Sequence, residues 1–342
     1  MLNPDTNPTP HSVRKTRATT TLRRGATPQT PPGRLTPSSD TARWSVEGRD
    51  ASLDERGTRR WRRTARGYLL LPHLAPVLVV ELATAAFAVI AWGGLPPPHL
   101  LGLLLLAMLG GQLAIGATNE LVDLPYDAVG KPWKPLPSGD VSIRGAQAML
   151  ALGLIMMVVL GSRFGTLPFA LLALGTGLGI AYDLWFKRTI WSWLPYLLAL
   201  PLLPIWVFAS LGKPELRLLL LYPLGALATV GVHLAQALPD VTIDREAGLE
   251  TVTSRLGEMR IFVFAWLATL SAPVLGWFAA QWLGASQQSV PIAVASGLAV
   301  LLLAINVILI RADRRRGAIA CFPLVALTTL VTGLAWTVSV VR

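Results

Sequence analysis

The chain has 342 residues, of which 53% are hydrophobic and only 14% are charged. Soluble domains carry about 25% charged residues, so this composition excludes an ordinary soluble globular protein. Repeated apolar stretches of about 18 residues or more are each long enough to cross a bilayer, and they predict a polytopic helical membrane protein. Cys321 is the only cysteine, which excludes an intrachain disulfide, and we interpret it as a packing residue of the last apolar helix.

Residues 1–67 carry a strong positive charge, with 14 Lys or Arg against 6 Asp or Glu. The segment is rich in Pro, Thr, Ser and Arg and has no apolar period, which predicts a disordered basic tail in the cytoplasm. Nucleic-acid binding is the alternative role, but no aromatic or groove-reading pattern accompanies the charge. We therefore expect no nucleic-acid partner and favour a topogenic role with contact to anionic membrane lipids. Residues 68–342 are predicted to form the transmembrane domain.

Hydropathy predicts nine membrane spans after this tail. They cover residues 68–93, 99–121, 143–161, 165–182, 190–210, 216–238, 259–282, 289–311 and 317–340. The loops between them alternate in charge: one set holds twelve Lys and Arg residues and the opposite set holds three. The positive-inside rule places the basic loops and the N-terminus in the cytoplasm, so we expect a multi-pass protein of the cell (inner) membrane.

Two polar series interrupt the apolar pattern at the cytoplasmic ends of the second and sixth predicted spans, in "NELVDLPYD" and "QALPDVTID". The first ladder is Asn119, Asp123 and Asp127, and the second ladder is Gln236, Asp240 and Asp244. Within each ladder the residues are four apart, which places them on one face of a helix. Each residue of the second ladder follows its counterpart by 117 positions, which indicates two duplicated four-helix halves with a ninth helix added.

The ladders bring four carboxylates to one side of the membrane, where they repel one another unless counter-charge is present. Hard cations such as Mg²⁺ bind carboxylate oxygens and usually complete their shell with water and substrate phosphates. A single ladder is equally compatible with a solvated helix end, but two matched ladders favour a clamp for Mg²⁺ and a diphosphate. Pro125 and Pro239 lie within the ladders, and we expect them to loosen or end each helix.

Basic residues follow the first ladder and the fourth span. "AVGKPWKPLPSG" contains Lys131 and Lys134, and "YDLWFKRT" contains Tyr182, Lys187 and Arg188. Cations at these positions are expected to bind diphosphate oxygens through charge-assisted hydrogen bonds. For Lys187 and Arg188, the alternative is a purely topogenic charge.

Three segments together resemble the signatures of the UbiA-type intramembrane prenyltransferases. "NELVDLPYDAVGKPWKPLPSG" is similar to their first aspartate signature with its basic, Pro-rich loop. "QALPDVTIDREAGLETVTSRLG" resembles the second aspartate signature, and "YDLWFKR" resembles the Tyr-and-Lys loop between them. The resemblance covers roughly residues 68–340, and it implies an all-α bundle of about nine spans around a central cavity.

The resemblance also implies the roles of the polar residues. Asp123, Asp127, Asp240 and Asp244 would be catalytic and, with Asn119, would hold Mg²⁺. The residues expected to bind the diphosphate of a prenyl diphosphate are Asn119, Lys131, Lys134, Tyr182, Lys187, Arg188 and Gln236. Gln236 is neutral at a position often filled by Asn or Asp, and Glu120 stands where Asp is usual.

The activity implied is Mg²⁺-dependent transfer of a prenyl group to a hydrophobic acceptor of the quinone, aromatic or lipid type. Tyr182 and Trp185 could stabilise an allylic cation, although interfacial anchoring explains Trp185 equally well. His233 could face the cavity as a base or simply be a buried, hydrogen-bonded histidine. Arg66 and His73 are candidates for the basic residue that the family often carries near the first span.

Two other classes of function fit parts of the pattern. A terpene cyclase on the same scaffold would ionise the same diphosphate without an acceptor. An ion-coupled transporter would also carry intramembrane carboxylates, but its site usually lies near the midplane between inverted repeats, whereas these ladders lie at one mouth in a parallel duplication. The acceptor, the prenyl chain length and the oligomeric state are left open by the sequence.

Overall fold

The computed structural model describes residue 58 and residues 60–241, 255–282 and 290–341. Asp244 and most of the predicted basic tail lie outside these residues. Residues 60–70 form a helix, α1, so the tail boundary predicted at residue 67 falls within a helical segment.

The described chain is built of α-helices joined by short turns. After α1 they are α2 (Leu74–Trp92), α3 (Pro98–Gly130), α4 (Ile143–Gly161), α5 (Thr166–Ala181), α6 (Leu194–Ala199), α7 (Leu202–Ser210), α8 (Leu221–Ala237), α9 (Glu258–Trp282), α10 (Val290–Ala312) and α11 (Arg314–Val341). The main neighbours are α3 with α4, α8 with α9, and α10 with α11. This arrangement confirms the predicted all-α membrane bundle.

Eight helical stretches of the described chain are long and apolar enough to cross a membrane. The fifth predicted span, residues 190–210, was wrong as a single helix, because it consists of the short helices α6 and α7. The break falls at Pro201, which has no N–H to donate to the preceding turn. The predicted count of nine therefore corresponds to eight long helices and one broken pair.

Helix α3 continues three residues beyond Asp127, the last position of the first ladder, and ends at Gly130, so of the two expected effects of Pro125, loosening or ending the helix, the second does not occur. Proline costs one backbone hydrogen bond, but the helix resumes beyond it, and the Lys131 N–H still bonds the Asp127 carbonyl at 2.8 Å. At the second ladder the chain behaves as expected. Helix α8 ends at Ala237, and residues Leu238–Asp240 tighten into a 3₁₀ turn around Pro239.

A close backbone contact positions the start of α2 against α3. A Cβ atom added at Gly116 would lie 2.5 Å from the Cα atom of Pro72, so only glycine permits this approach. Gly116 lies about one helical turn before Asn119 and Glu120 on α3. The contact therefore brings His73, the residue after Pro72, beside the first ladder.

Candidate active site

The helices enclose a cavity of about 1400 Å³ that is polar at one end and apolar at the other. Ten of the eleven site residues predicted from the sequence line it: Asn119, Asp123, Asp127, Lys131, Lys134, Tyr182, Lys187, Arg188, Gln236 and Asp240. The eleventh, Asp244, lies outside the described residues. The first ladder and the described positions of the second, Gln236 and Asp240, thus line one cavity, although corresponding positions are 117 residues apart in the chain.

Asp123 is the most strongly neutralised carboxylate of the first ladder. Its Oδ2 accepts a short hydrogen bond from Lys187, and its Oδ1 accepts one from Arg188 at 2.7 Å. The Arg188 guanidinium also lies 3.8 Å from the centroid of the Tyr126 ring, a cation–π contact that orients it. Asp123 is only 8% exposed, so both cations compensate a charge that is largely removed from water.

A π-helical turn presents these cations. Residues Tyr182–Phe186 continue α5 with wider winding, and the Lys187 N–H bonds the Tyr182 carbonyl at 2.8 Å. Such turns insert one residue into a helix and often occur at functional sites. Here the turn buries Asp183, whose Oδ1 accepts a hydrogen bond from the Asn119 amide at 2.6 Å, while Lys187 meets Asp123.

Lys134 joins the end of the first ladder to a buried carboxylate behind it. Its Nζ lies 2.7 Å from Asp127 and 2.8 Å from Glu120, and Glu120 is 1% exposed. Burial opposes the charge of Lys134, but the two carboxylates outweigh it and raise the lysine's pKa above its ordinary value. Glu120, where an Asp was expected from the family pattern, is therefore a structural partner of the site.

His73 lies at the start of α2 in a left-handed backbone conformation, with φ of 58°, which is uncommon for a residue with a side chain. Its Nε2 is 3.0 Å from Asn119 Oδ1 and 3.3 Å from Glu120 Oε1. Burial, aided by the charge of Lys134, lowers the pKa of His73 to about 4. The ring is therefore neutral near pH 7, and its contact with Glu120 is not an ion pair.

The second ladder is more open. Asp240 pairs with Lys131 at 2.7 Å, and its side chain is 40% exposed. Gln236 accepts a hydrogen bond from the Tyr196 hydroxyl at 2.5 Å. Lys131 follows directly after α3, so this ion pair connects the helix of the first ladder to that of the second across the cavity mouth.

An aromatic group lies between the two ladders. The rings of Tyr182, Tyr196 and His233 have centroids 5.0 to 6.0 Å apart and mostly meet edge to face. All three residues line the cavity, so His233 does face it. The His233 Nε2 is 2.9 Å from the Ser192 hydroxyl oxygen.

Several site residues were missed or misplaced by sequence reasoning. Asp183 and Tyr196 were not predicted, although an aspartate inside an apolar helix end was a usable signal for the first. Trp185 is 68% exposed and is not part of the cavity wall, which agrees with interfacial anchoring rather than cation stabilisation. Arg66 is exposed and does not line the cavity, so His73 is the basic residue that contacts the ladder.

The oxygen donors suit Mg²⁺ shared with a substrate. In the part of the chain that the structure describes, no three His, Cys, Asp or Glu side chains are close enough to hold a metal ion alone. Mg²⁺ rarely needs such a cage, because it keeps waters and takes one or two carboxylates together with substrate phosphates. Buried Asp183 Oδ2 and Glu120 Oε2 also have no hydrogen-bond partner, which leaves acceptor capacity beside the first ladder.

Comparison with known proteins gives one family and one fold. The model of the UbiA prenyltransferase family matches residues 80–338. Among curated relatives, a digeranylgeranylglyceryl phosphate synthase of Methanoculleus marisnigri is 29% identical over 210 residues, covering 59% of this chain and 71% of the relative. Homogentisate phytyltransferase 1 of Arabidopsis thaliana is 26% identical over 210 residues, covering 56% of this chain and 53% of the relative.

Solved structures share the same architecture. A UbiA homologue from Archaeoglobus fulgidus, bound to GPP and Mg²⁺, superposes with a TM-score of 0.55 at 19% identity, covering 79% of this chain and 99% of the homologue. A UbiA homologue from Aeropyrum pernix K1 gives a TM-score of 0.57 at 19% identity, covering 74% of this chain and 96% of the homologue. At this identity the likeness concerns the fold.

Proposed function

The chain belongs to the UbiA prenyltransferase family, and from this premise we propose that it transfers a prenyl group from a Mg²⁺-bound prenyl diphosphate to a lipophilic acceptor within the membrane. It is a multi-pass membrane enzyme of the prenyltransferase class. The observation that carries the proposal is the shared cavity, which has the first ladder, Gln236 and Asp240 of the second, and four cations at one end and an apolar interior at the other.

The carboxylates and amide of the ladders would hold Mg²⁺. We assign this role to Asn119, Asp123, Asp127, Asp240 and Asp244. When bound, Mg²⁺ supplies Lewis-acid neutralisation of the departing diphosphate. That a related structure binds GPP and Mg²⁺ supports this assignment.

The cations at the mouth would bind the diphosphate itself. Without substrate, these cations form ion pairs with the ladder carboxylates: Lys187 and Arg188 with Asp123, Lys134 with Asp127, and Lys131 with Asp240. Metal binding to these carboxylates would free the cations' hydrogen-bond donors for phosphate oxygens, so the same groups exchange one anion for another. Because the donors are already in place, little reorganisation accompanies the development of negative charge on the leaving group.

The aromatic group and the apolar interior would bind the prenyl part of the substrate, which consists of the allylic carbon and the hydrocarbon chain. The ring faces of Tyr182 and Tyr196 can stabilise positive charge on the allylic carbon as its bond to the diphosphate breaks. Beyond them the cavity is lined by Phe87, Leu172 and Trp206, which suits a prenyl chain and keeps water from the cation. Relatives named for a glyceryl phosphate lipid and for homogentisate support a lipophilic acceptor.

We place the mouth and the N-terminus on the cytoplasmic side of the cell membrane. The support is the charge asymmetry of the loops, because the cations of the site lie in the Lys- and Arg-rich set. A prenyl diphosphate made in the cytoplasm would reach the ladders from that side while its chain enters the bilayer region.

The proposal is tested with Asp123→Asn and Asp240→Asn in detergent-purified protein. Both variants should lose Mg²⁺-dependent release of diphosphate from geranylgeranyl diphosphate by about 10²-fold or more, while tryptophan fluorescence shows an intact fold. The matched control is Asp313→Asn, because Asp313 caps α11 through the Arg315 and Arg316 N–H groups away from the cavity, and Asn also caps helices. Retained turnover in both ladder variants would falsify the clamp.

The same assay separates transfer from cyclisation. Geranylgeranyl diphosphate is supplied alone, and then with a glyceryl phosphate lipid or with homogentisate. We expect diphosphate release to depend on an acceptor and the prenylated acceptor to accumulate. Release of diphosphate with formation of a hydrocarbon from the donor alone would instead assign a cyclase.

A further inference from the structure

Helix α3 packs against α5 and its π-helical turn in a single register. Three pairs of residues, each 64 positions apart in the chain, mark this register: Ile115 with Gly179, Asn119 with Asp183, and Asp123 with Lys187. A Cβ atom added at Gly179 would collide with the Ile115 side chain, so the glycine makes room for the close approach at the first pair. The row that brings Lys187 to the first ladder therefore also brings Asp183 to Asn119.

Asp183 is a buried carboxylate to which the proposed function gives no role. The residue is 3% exposed in a helical segment that crosses the membrane, and burial of a carboxylate costs free energy unless partners compensate it. Its Oδ1 accepts a hydrogen bond from the Asn119 amide at 2.6 Å, and its Oδ2 is buried. The carboxylate therefore acts on the first ladder through Asn119.

The neighbours of Asn119 determine which way its amide faces. A side-chain amide has a donor end and an acceptor end, whereas an ionised carboxylate only accepts, so Asp183 holds the Nδ2 end. At the other end, His73 Nε2 lies 3.0 Å from Asn119 Oδ1 and 3.3 Å from a second acceptor, Glu120 Oε1. Between two acceptors, Nε2 carries the proton of the neutral ring and donates it. Asp183 and His73 thus select the same orientation of the amide.

This orientation suits a metal ligand. A carbonyl oxygen has two lone pairs, so Asn119 Oδ1 keeps one after it accepts from His73. Asn119 lines the cavity with Asp123, and a reversed amide would present N–H donors where a cation is expected. We propose that Asp183 is a positioning residue, which holds the Asn119 amide so that its oxygen faces Mg²⁺. This inference rests on the proposed function, which assigns Asn119 to Mg²⁺.

The pairing reverses the effect expected from a change at position 119. An added carboxylate raises the negative charge of a Mg²⁺ site, so Asn119→Asp would ordinarily strengthen metal binding. Here the new carboxylate would face Asp183 at hydrogen-bond distance, and two carboxylates so close do not both stay ionised. Asn119→Asp should therefore weaken metal binding. Adding Asp183→Asn to the same chain should restore it, because the new amide donates to the new carboxylate.

The test is binding of Mn²⁺, a paramagnetic substitute for Mg²⁺, to the full-length protein in detergent, measured by electron paramagnetic resonance. A thiolo analogue of geranylgeranyl diphosphate, which ionises slowly, is present throughout, so that no turnover occurs. Asp183→Leu and Asn119→Asp should each weaken Mn²⁺ binding about five- to tenfold, because the oriented oxygen ligand is lost. The double variant Asn119→Asp with Asp183→Asn should bind Mn²⁺ within about threefold of wild type, since the two sites are coupled.

A spectroscopic readout separates orientation from stability. In protein labelled with ¹³C at the asparagine side-chain carbonyl, a metal-bound amide oxygen gives a ¹³C coupling to Mn²⁺ that electron–nuclear double resonance detects. The coupling should be present in wild-type protein, absent in Asn119→Ala and weaker in Asp183→Leu. A residue that only stabilised the fold would change thermal unfolding without changing this coupling.

The matched control is Asn306→Asp. Asn306 is also buried with both ends of its amide bonded, its oxygen to Trp266 and its nitrogen to the Gly317 carbonyl, and it does not line the cavity. The same substitution there should lower the thermal stability but leave Mn²⁺ affinity as in wild type.

Wild-type affinity in Asn119→Asp, a double variant that binds no better than Asn119→Asp, or full ¹³C coupling in Asp183→Leu overturns the inference. The binding by the double variant needs neither single variant to fold. If Asn119→Ala leaves Mn²⁺ binding unchanged, the proposed assignment of Asn119 fails together with the inference. If Asn119→Ala weakens binding and Asp183→Leu does not, the inference fails alone.

Discussion

The two ladders have matching spacing but very different surroundings. Asp123 and Asp127 of the first ladder are 8% and 7% exposed, and each is held by at least one cation. Asp240 of the second ladder is 40% exposed at its side chain and is paired with Lys131. One ladder is built into the interior of the bundle, whereas the described part of the other lies at its edge.

The difference separates two physical tasks. The first ladder is supported from behind by Glu120, Asp183 and His73, so its geometry is set before any substrate binds. The second ladder approaches the first through an ion pair at the mouth, where solvent competes. The first ladder is therefore the preorganised side of the cavity mouth, and the described part of the second ladder is its solvent-accessible side.

Loss of a cation from the first ladder should have the largest effect. Lys187→Met leaves Asp123 with Arg188 as its partner and removes a donor aimed at the diphosphate, so turnover should fall by about 10²–10³-fold. Initial rates of diphosphate release measure this. Lys213→Met is the control, because Lys213 lies by Trp92 in a loop at the other end of the bundle. A tenfold or smaller loss would mean that the π-helical turn does not present the main phosphate ligand.

The second-largest effect is expected when Glu120, which pairs with Lys134 behind the first ladder, loses its charge. Glu120→Gln keeps the shape of a buried side chain but takes a charged partner from Lys134. We expect the free energy of unfolding to fall by about 1–3 kcal/mol, with a roughly tenfold loss of turnover, because a buried charge-assisted hydrogen bond is weakened. Urea titration measures the change in the free energy of unfolding, and initial rates of diphosphate release measure the change in turnover. Glu215→Gln, at a partly exposed carboxylate outside the cavity wall, should change neither.

The ion pair at the mouth should affect binding without affecting stability. Lys131→Met breaks the contact with Asp240, and a partly exposed pair contributes less than about 1 kcal/mol. The KM for geranylgeranyl diphosphate should nevertheless rise about tenfold, because Lys131 is one of the mouth's phosphate donors. Steady-state kinetics and thermal unfolding together decide the point. If Lys131→Met clearly lowers the stability but leaves KM unchanged, the Lys131–Asp240 pair stabilises the fold and does not bind the diphosphate.

The smallest effect concerns pH and the support at His73. Its pKa is about 4 in the fold against 6.5 in the unfolded chain, so the unfolded state binds the proton first as pH falls. The stability associated with neutral His73 is complete above pH 6.5 and is lost progressively between pH 6.5 and about 4. His73→Gln should flatten this part of the profile, as followed by tryptophan fluorescence. An unchanged slope would place the acid sensitivity in other groups.

Much of the site could be anticipated from local pattern. Residues four apart on a helix share a face whatever the rest of the fold does, and Lys131 and Lys134 stay with the first ladder because they follow it directly in the chain. The broken fifth span and the passage of α3 through Pro125 were not anticipated, because whether proline ends a helix depends on packing around it. The same holds for Glu120, whose partners come from the loop after α3 and from the start of α2.

Length, composition and loop charge were enough to establish a membrane bundle, since each is a property of consecutive residues in contact with lipid or water, and the resemblance of three segments to the UbiA-type signatures identified the prenyltransferase type. Packing established the rest. Asn119 meets Asp183 across 64 residues, Tyr196 meets Gln236 across 40, and Ser192 meets His233 across 41. Such pairs depend on how helices cross and how closely their backbones approach, as at Gly116 and Pro72, and no periodicity within one segment specifies that.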